Sequence, residues 1–499
     1  MKKYLSKIAC IIMTASLCLS GTVVPTNAEA PKADAKIQQV DTDAAIGING
    51  DGTEAVLHDD ADKAEAENID PQSTSDYTNV FSQNGVKYGY SSDGKLWAVG
   101  YDYDIPETIK IDERAYGIAD NAFYNCSRLT SVDLSNVVYI RGRAFGGCTN
   151  LYEIDIPYSV IDISVVAFQD SPIGIFKVDS YNSRYTSGDD NLALIDKTDG
   201  TIVQFTKKNV EKYAIPDGVK TIDNKTFSSR LDLHEIDIPS SVVTIYDEAF
   251  LGSSIEIFKV DSNNVNYASS DDGLALIDKN TKTILQFSKA NIEEYTIPDG
   301  IETIGMRSFE NSNVKKVVLA DTTTEIKSSA FAESELKEID LKNVEVLETS
   351  CFYNTNLINV TIPNTISVIN SGVFTGCNNL ESITVEAGGT SGFRSSDGVL
   401  YGTDYNKKES LLAYPINSKM TEYTVESGTE KIEENALAGA KNLTKLVFNT
   451  ELKEVSSRAV SNVLNLKEIV FNDNLETIGD YAFWGLGKLE NLTLGKNVT

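Results

Sequence analysis

Histidine is almost missing from this chain: two occur in 499 residues, His58 and His234. General acid–base and metal chemistry thereby lose their commonest participant. His234 sits beside Leu233 in a repeated segment, where a solvated or packed ring is expected. No His-Glu-x-x-His, Cys-x-x-Cys, phosphate-cradling glycine loop or Gly-x-Ser-x-Gly elbow occurs either. Positive charge is also scarce, with 44 Lys and Arg against 73 Asp and Glu and a net charge of −29. So acidic a chain repels phosphate backbones and anionic lipid heads, which argues against nucleic acid and membrane partners. Long apolar runs are absent after Val24, so no later segment is expected to insert into a membrane.

The beginning has its own character. Lys2, Lys3 and Lys7 precede an apolar stretch from Ile8 to Val24, and Thr26-Asn27-Ala28 offers a small-residue cleavage site. Residues 1–28 therefore read as a secretory signal peptide. Residues 29–75 are rich in Asp, Glu, Ala and Gly and lack aromatic residues up to Tyr77, a composition expected to form an acidic disordered leader. Asn49-Gly50-Asp51-Gly52 hints at a calcium loop. With Gly52 at the sixth position, however, Gly47 and His58 stand where carboxylates are required. No cofactor is expected.

What fills the rest is a period. A small residue followed by a large apolar one recurs at Ala122-Phe123, Ala144-Phe145, Ala167-Phe168, Thr226-Phe227, Ala249-Phe250, Ser308-Phe309, Ala330-Phe331, Cys351-Phe352, Val373-Phe374, Ala436-Leu437, Ala459-Val460 and Ala482-Phe483. Most neighbouring pairs are separated by about one and the same interval, and a period in the twenties means stacked coils. Each coil carries one frame, as in Leu151, Ile154, Ile156, Pro157, Val160 and Ile163 before Ala167-Phe168. The Leu-x-x-Ile-x-Ile stretch alternates like a strand with one buried face, and proline stops it. A second short strand and a tight helical turn are expected to bring the chain round. About thirteen such coils follow a capping hairpin and first coil at 76–118, and the solenoid occupies 119–499.

Three long gaps hold inserts at about 179–213, 261–295 and 386–423. The segment from Ile175 returns with few changes from Ile257, and Ser395-Ser396-Asp397-Gly398 marks a third copy. Their Asp-Gly and Asp-Asp turns between β-prone runs predict hairpins projecting from the stack. The last coil breaks off after Leu494 and Val498, before its Ala-Phe position, so the repeat is expected to continue beyond this sequence.

The frame Leu-x-x-Ile-x-Ile-Pro-x-x-Val-x-x-Ile-x-x-x-Ala-Phe-x-x-Cys-x-x-Leu resembles the repeat of BspA-like leucine-rich repeat surface proteins. Phe145-Gly-Gly-Cys148-Thr-Asn-Leu151 and Phe374-Thr-Gly-Cys377-Asn-Asn-Leu380 carry the phenylalanine-to-cysteine link. The opening Tyr88-Gly-Tyr-Ser-Ser-Asp-Gly-Lys-Leu-Trp97 is also similar to that family's hairpins. The likeness spans about residues 80 to 499, although cysteine is missing after Phe168, Phe227, Phe250 and Phe331. It implies a leucine-rich repeat solenoid, secreted or displayed at the cell surface, that adheres to or binds an extracellular protein; with no catalytic constellation in the sequence, a monomeric and non-enzymatic chain is expected.

Strand alternation says where binding would occur. Residues flanking the middle apolar position point away from the core. Asp133, Glu153, Asp155, Lys177, Glu235, Asp237, Lys259, Glu338 and Asp340 are therefore expected to form columns on one sheet face, an acidic zone interrupted by lysine. Recurrence of the Glu-x-Asp pair at the same coil position, Glu153/Asp155, Glu235/Asp237 and Glu338/Asp340, argues for a surface pattern, since a glycosidase needs one singular pair. The alternative is glycan binding through the hairpin aromatics Tyr185, Tyr267, Phe393 and Tyr401, or a passive spacer. Cys126 and Cys148 occupy equivalent positions in neighbouring coils and are expected to be buried small hydrophobes, with a Cys126–Cys148 disulfide as the alternative.

Overall fold

The computed structural model describes residues 47–48, 54–55, 76–224, 226–389, 392–403 and 408–493. The predicted signal peptide and nearly all of the acidic leader lie outside them. The described residues divide into two compact units, one ending at Lys208 and one beginning at Asn209. Each is a β-solenoid with no helix among the described residues, about 17 turns in total. The count exceeds the Ala-Phe pairs because the inserts supply turns that lack the pair.

The Leu-x-x-Ile-x-Ile frame forms the first strand of each coil. In the first unit Thr108–Lys110 pairs in parallel with Ser131–Asp133, and Glu153–Ile156 with Ile175–Val178. In the second, Lys212–Ala214, Glu235–Ile238 and Ile257–Val260 make one sheet. The middle residues Ile154, Phe176, Ile236 and Phe258 are buried, as period-two alternation requires. A short second strand follows, as in the parallel run Thr303–Ile304, Glu325–Ile326, Val346–Leu347 and Val368–Ile369.

The expected helical turn is not formed. The residue before most of the Ala-Phe pairs and the second residue after them take positive φ, as at Arg143 (51°) and Gly147 (67°), Arg307 (55°) and Asn311 (54°), and Arg458 (54°) and Asn462 (56°). A helix needs negative φ throughout and bonds to its own preceding turn. Here the amides instead reach the neighbouring coil: Phe123 N–H donates to Ala144 O at 2.8 Å, and Phe309 N–H to Ala330 O at 2.8 Å. The turn is thus a third hydrogen-bonded side of the coil.

That side holds the aromatic column. Phe123 and Phe145 stack with centroids 5.2 Å apart in the first unit; Phe309, Phe331 and Phe352 follow at 4.9 and 5.6 Å in the second. These ring contacts, stacked at Phe123–Phe145 and Phe331–Phe352 and tilted at Phe309–Phe331, add to the burial of each ring. Three residues after the phenylalanine, a small donor meets a backbone carbonyl. Cys148 Sγ donates to Phe123 O at 3.1 Å and Cys377 Sγ to Phe352 O at 3.0 Å; Ser334 and Thr355 do the same to Phe331 O and Phe352 O. Cys126, Cys148, Cys351 and Cys377 are all buried and unbridged.

The inserts differ from projecting hairpins. Each is a three-stranded antiparallel meander lying within the stack: Tyr185–Thr186, Ala193–Asp196 and Thr201–Phe205; Tyr267–Ser269, Ala275–Asp278 and Thr283–Phe287; Arg394–Ser396, Val399–Thr403 and Glu409–Ala413. In the second unit the last strand of each meander continues into the ladder of short second strands, with Ile284 opposite Ile304 and Leu411 opposite Ile432. Leu194, Leu276 and Leu400 in the central strands are fully buried. An isolated hairpin is barely stable, and packing into the core removes that weakness. The N-terminal strands Thr78–Gln83, Val86–Tyr90 and Leu96–Tyr101 use the same design and pass to Ala115–Ile118. Gly117 there lies against the Trp97 ring, where a Cβ would stand 2.4 Å from Cζ3.

A meander interrupts the ladder of second strands, so the preceding strand's forward-facing amide needs another acceptor. Tyrosine supplies it. Ile163 N–H donates to Tyr185 Oη at 2.8 Å and Ile245 N–H to Tyr267 Oη at 2.9 Å; Tyr88 of the N-terminal meander likewise accepts an amide, that of Asp112 in the turn after it, at 3.0 Å.

Candidate binding face

The columns expected on the first-strand face are present and in register. Lys110 stands opposite Asp133, Glu153 opposite Ile175, and Asp155 opposite Lys177. In the second unit Glu235 stands opposite Ile257, Asp237 opposite Lys259, and Lys316 opposite Glu338. Asp340 lies just beyond its strand Glu338–Ile339, accepting Lys342 N–H at 3.2 Å. Asp133, Asp155, Lys177, Asp237, Lys259, Glu338 and Asp340 are exposed; Glu153 and Glu235 are half-buried.

The electrostatics differ from a plain acidic zone. Lys177 Nζ bonds Glu153 Oε1 across one coil, and Lys259 Nζ bonds Glu235 Oε1 in the same way, with Lys212 Nζ on the other Glu235 oxygen at 3.0 Å. Hydrogen bonds from Lys259 and Lys212 hold the Glu235 carboxyl below its ordinary pKa, and Glu153 and Glu235 raise those of Lys177 and Lys259. Lys316–Glu294 and Lys445–Glu468, both 3.2 Å, continue the theme. Exposed pairs of this kind stabilise little, because solvent screens them. Their main effect is to cancel charge on the glutamate column, leaving Asp155 and Asp237 as the outward carboxylates beside a lysine. Sequence alternation identifies the faces, but it carries no information on which lysine reaches which glutamate.

In the first unit three expected residues meet. Asp133, Asp155 and Lys177 line a recess of about 460 Å³ together with Pro157 and Asp179. Asp133 accepts Ser135 N–H at 2.9 Å and the Ser135 hydroxyl, and that hydroxyl is the main cause of its lowered pKa. Asp179 accepts Tyr181 N–H at 2.8 Å. Tyr158, which follows Pro157 in the chain, and Tyr181 are 60 % and 88 % exposed. Neither is among the site residues expected from the sequence. Their separation by a single coil was the available signal. Glu338 and Asp340 belong to the second unit and do not join this recess.

The aromatic alternative is corrected by burial. Tyr185 is 1 % exposed, Tyr267 6 % and Tyr401 0 %, because the first two hydroxyls seal strand amides and Tyr401 Oη accepts Glu426 N–H at 3.3 Å. Phe393 is partly buried against the core. None of the four is an open platform for a sugar ring. His234 is half exposed, with Nδ1 3.4 Å from Glu256 Oε1. Among the described residues no group of three or more His, Cys, Asp or Glu side chains could hold a metal ion, and no helix is long and apolar enough to cross a membrane.

No curated protein matches this sequence. Several solved structures are similar to it. A leucine rich cell surface protein from Faecalibacterium prausnitzii A2-165 is 16 % identical, covering 85 % of each chain with a TM-score of 0.34. A leucine-rich repeat protein from Eubacterium ventriosum is 19 % identical over 83 % of this chain and 90 % of its own, TM-score 0.41. The pneumococcal vaccine antigen PcpA is 18 % identical over 79 % and 98 %, TM-score 0.46. The model of the BspA type leucine rich repeat region, in six copies, matches residues 104–187, 203–271, 285–394 and 414–499, more than half of the sequence, and the chain belongs to that family.

Proposed function

We propose that this is a secreted or surface-displayed, non-catalytic repeat protein that binds another extracellular protein on its first-strand face. The observation that carries the reading is the recess bounded by Asp133, Asp155 and Lys177, with the exposed Tyr158 and Tyr181 within two residues of its lining residues Pro157 and Asp179 in the chain. Exposed tyrosines next to a concave, charged recess are the composition of an interface hot spot. The secretory start of the sequence supports an extracellular setting, and the return of the Glu-x-Asp pair at the same strand positions of three separate coils supports recognition over catalysis. The partner would present a basic or amide-rich patch to Asp155 and an acceptor to Lys177.

The test is binding of the protein to a panel of immobilised extracellular-matrix proteins, measured by surface plasmon resonance. A matrix protein that binds should bind at least tenfold more weakly to Asp155→Ala and Tyr181→Ala, as expected for truncated hot-spot residues. Binding unchanged in both variants, or binding to none of the panel, would overturn this reading.

A further inference from the structure

The third meander departs from the other two at two positions. Strand register equates them: Ser269 faces Leu276 as Ser395 faces Leu400, and Leu276 faces Gln286 as Leu400 faces Ala413. Phe393 therefore stands where Tyr185 and Tyr267 stand, and Ala413 stands where Gln204 and Gln286 stand. The first exchange removes a hydroxyl and the second removes a buried amide side chain; Gln286 is 7 % exposed. At this break in the stack, within the second unit, a cavity of about 560 Å³ opens, lined among others by Ile369, Phe374, Phe393, Ala413, Tyr414 and Glu433. Its size falls within the range of small-molecule sites.

The polar groups facing it are incomplete. Val368 and Asn370 donate their amides back to the preceding coil, to Glu345 O and Leu347 O. The Ile369 N–H between them therefore faces the following turn, as those of Ile163 and Ile245 do, and Phe393 has no hydroxyl to accept it. Glu433 Oε2 binds Lys431 Nζ at 2.9 Å, whereas Oε1 is buried with no hydrogen-bond partner among the described residues. Among the described residues the charged lining groups are Lys431, Glu433 and Glu434, one negative charge in excess. A buried unpaired carboxylate oxygen is costly and calls for a donor; aromatic walls favour a cation.

We infer that this cavity is a binding site for a small organic amine with an apolar body and one acceptor oxygen. The ammonium donates to Glu433 Oε1, the oxygen accepts the Ile369 N–H, and the body lies between Phe374, Phe393 and Tyr414. This site is separate from the recess proposed for a protein partner and does not depend on it.

Isothermal titration of the full chain with tyramine and with 4-hydroxyphenylacetate tests the inference. The two probes share a body and an oxygen and differ in the sign of the head group. Tyramine is expected to bind once per chain with a Kd below roughly 1 mM, and the acid at least tenfold more weakly. Glu433→Gln should weaken tyramine about tenfold or more, the usual loss for a charged hydrogen bond. Ala413→Gln restores the side chain that the other two meanders accommodate; it should abolish binding while leaving the thermal melt in place. Equal affinity for the two probes, no saturable binding of tyramine, or undiminished binding to Ala413→Gln would each overturn the assignment. The comparison of probes on the unmodified protein decides the matter even where a variant fails to fold.

Discussion

Ile245 donates its backbone N–H to the hydroxyl of Tyr267 at 2.9 Å, across the break where one ladder of second strands ends and the next meander begins. Tyr267 is 6 % exposed, so no water replaces the hydroxyl if it is removed. Tyr267→Phe leaves the amide buried and unmet, which costs about 1–3 kcal/mol. Urea denaturation should show that loss, with Tyr185→Phe behaving alike at Ile163. Tyr181→Phe, on an exposed ring, should stay within about 0.5 kcal/mol of the parent.

Phe331 lies in the middle of a column, 4.9 Å from Phe309 and 5.6 Å from Phe352. Phe331→Ala opens a void between two rings and is expected to cost about 3–5 kcal/mol. Phe331→Leu should cost clearly less, because Leu437 and Val460 are fully buried at the same coil position. The difference between the two variants in denaturation midpoint is the measurement.

The thiols are expected to be silent. Burial pushes Cys148 up to about 12 and Cys377 up to about 11, and it raises Cys126 and Cys351 as well. The thiolate is the reactive form. A thiol reagent at pH 8 should therefore label none of Cys126, Cys148, Cys351 and Cys377 in the native protein and all four after denaturation. Rapid labelling of Cys148 in the folded state would contradict the packing described for it.

Asp112 fastens the N-terminal meander. Its carboxylate accepts two hydrogen bonds from the Arg114 guanidinium, at 2.9 and 2.7 Å, and one from Gln83 at 3.3 Å. These bonds, those of Arg114 foremost, hold its pKa at about 2, below the ordinary 3.8. A depressed carboxylate contributes stability that is complete above the unfolded value and disappears as pH falls through the folded one. The first strand, Thr78–Gln83, should accordingly lose amide-exchange protection between pH 4 and pH 2. Asp112→Asn should show weaker protection that no longer follows that titration.

The coil frame is legible because two periods coincide, the alternation along each strand and the recurrence of the Ala-Phe pair along the chain. Together they place the buried Ile154 and Ile236 and the outward Asp155 and Asp237 correctly. The turn reads as helical because Ala-Phe breaks no helix; the positive φ falls on flanking residues as varied as Arg143, Ser329 and Tyr481, which carry no common chemical mark. The inserts read as free hairpins since their Asp-Gly turns are local signals, while the ladder from Ile284 to Ile304 joins strands that are not neighbours in any local pattern. Tyr185 and Tyr267 read as possible platforms because an aromatic type does not reveal whether its hydroxyl meets solvent or an amide. Phe393 and Ala413 are visible as exceptions, but only strand register shows that both face one cavity.

The tyrosine seal has an evolutionary corollary. Where a phenolic oxygen closes one ladder, the next begins on a meander that brings its own edge. A recombination event joining two such boundaries leaves the second-strand ladders whole and has only the first-strand ladder to re-form, whereas one inside a coil severs hydrogen bonds on all three sides. Lengthening or shortening of the gene by whole cassettes is thus the tolerated route, and the echo of the Ile175 segment at Ile257 is the trace such an event leaves.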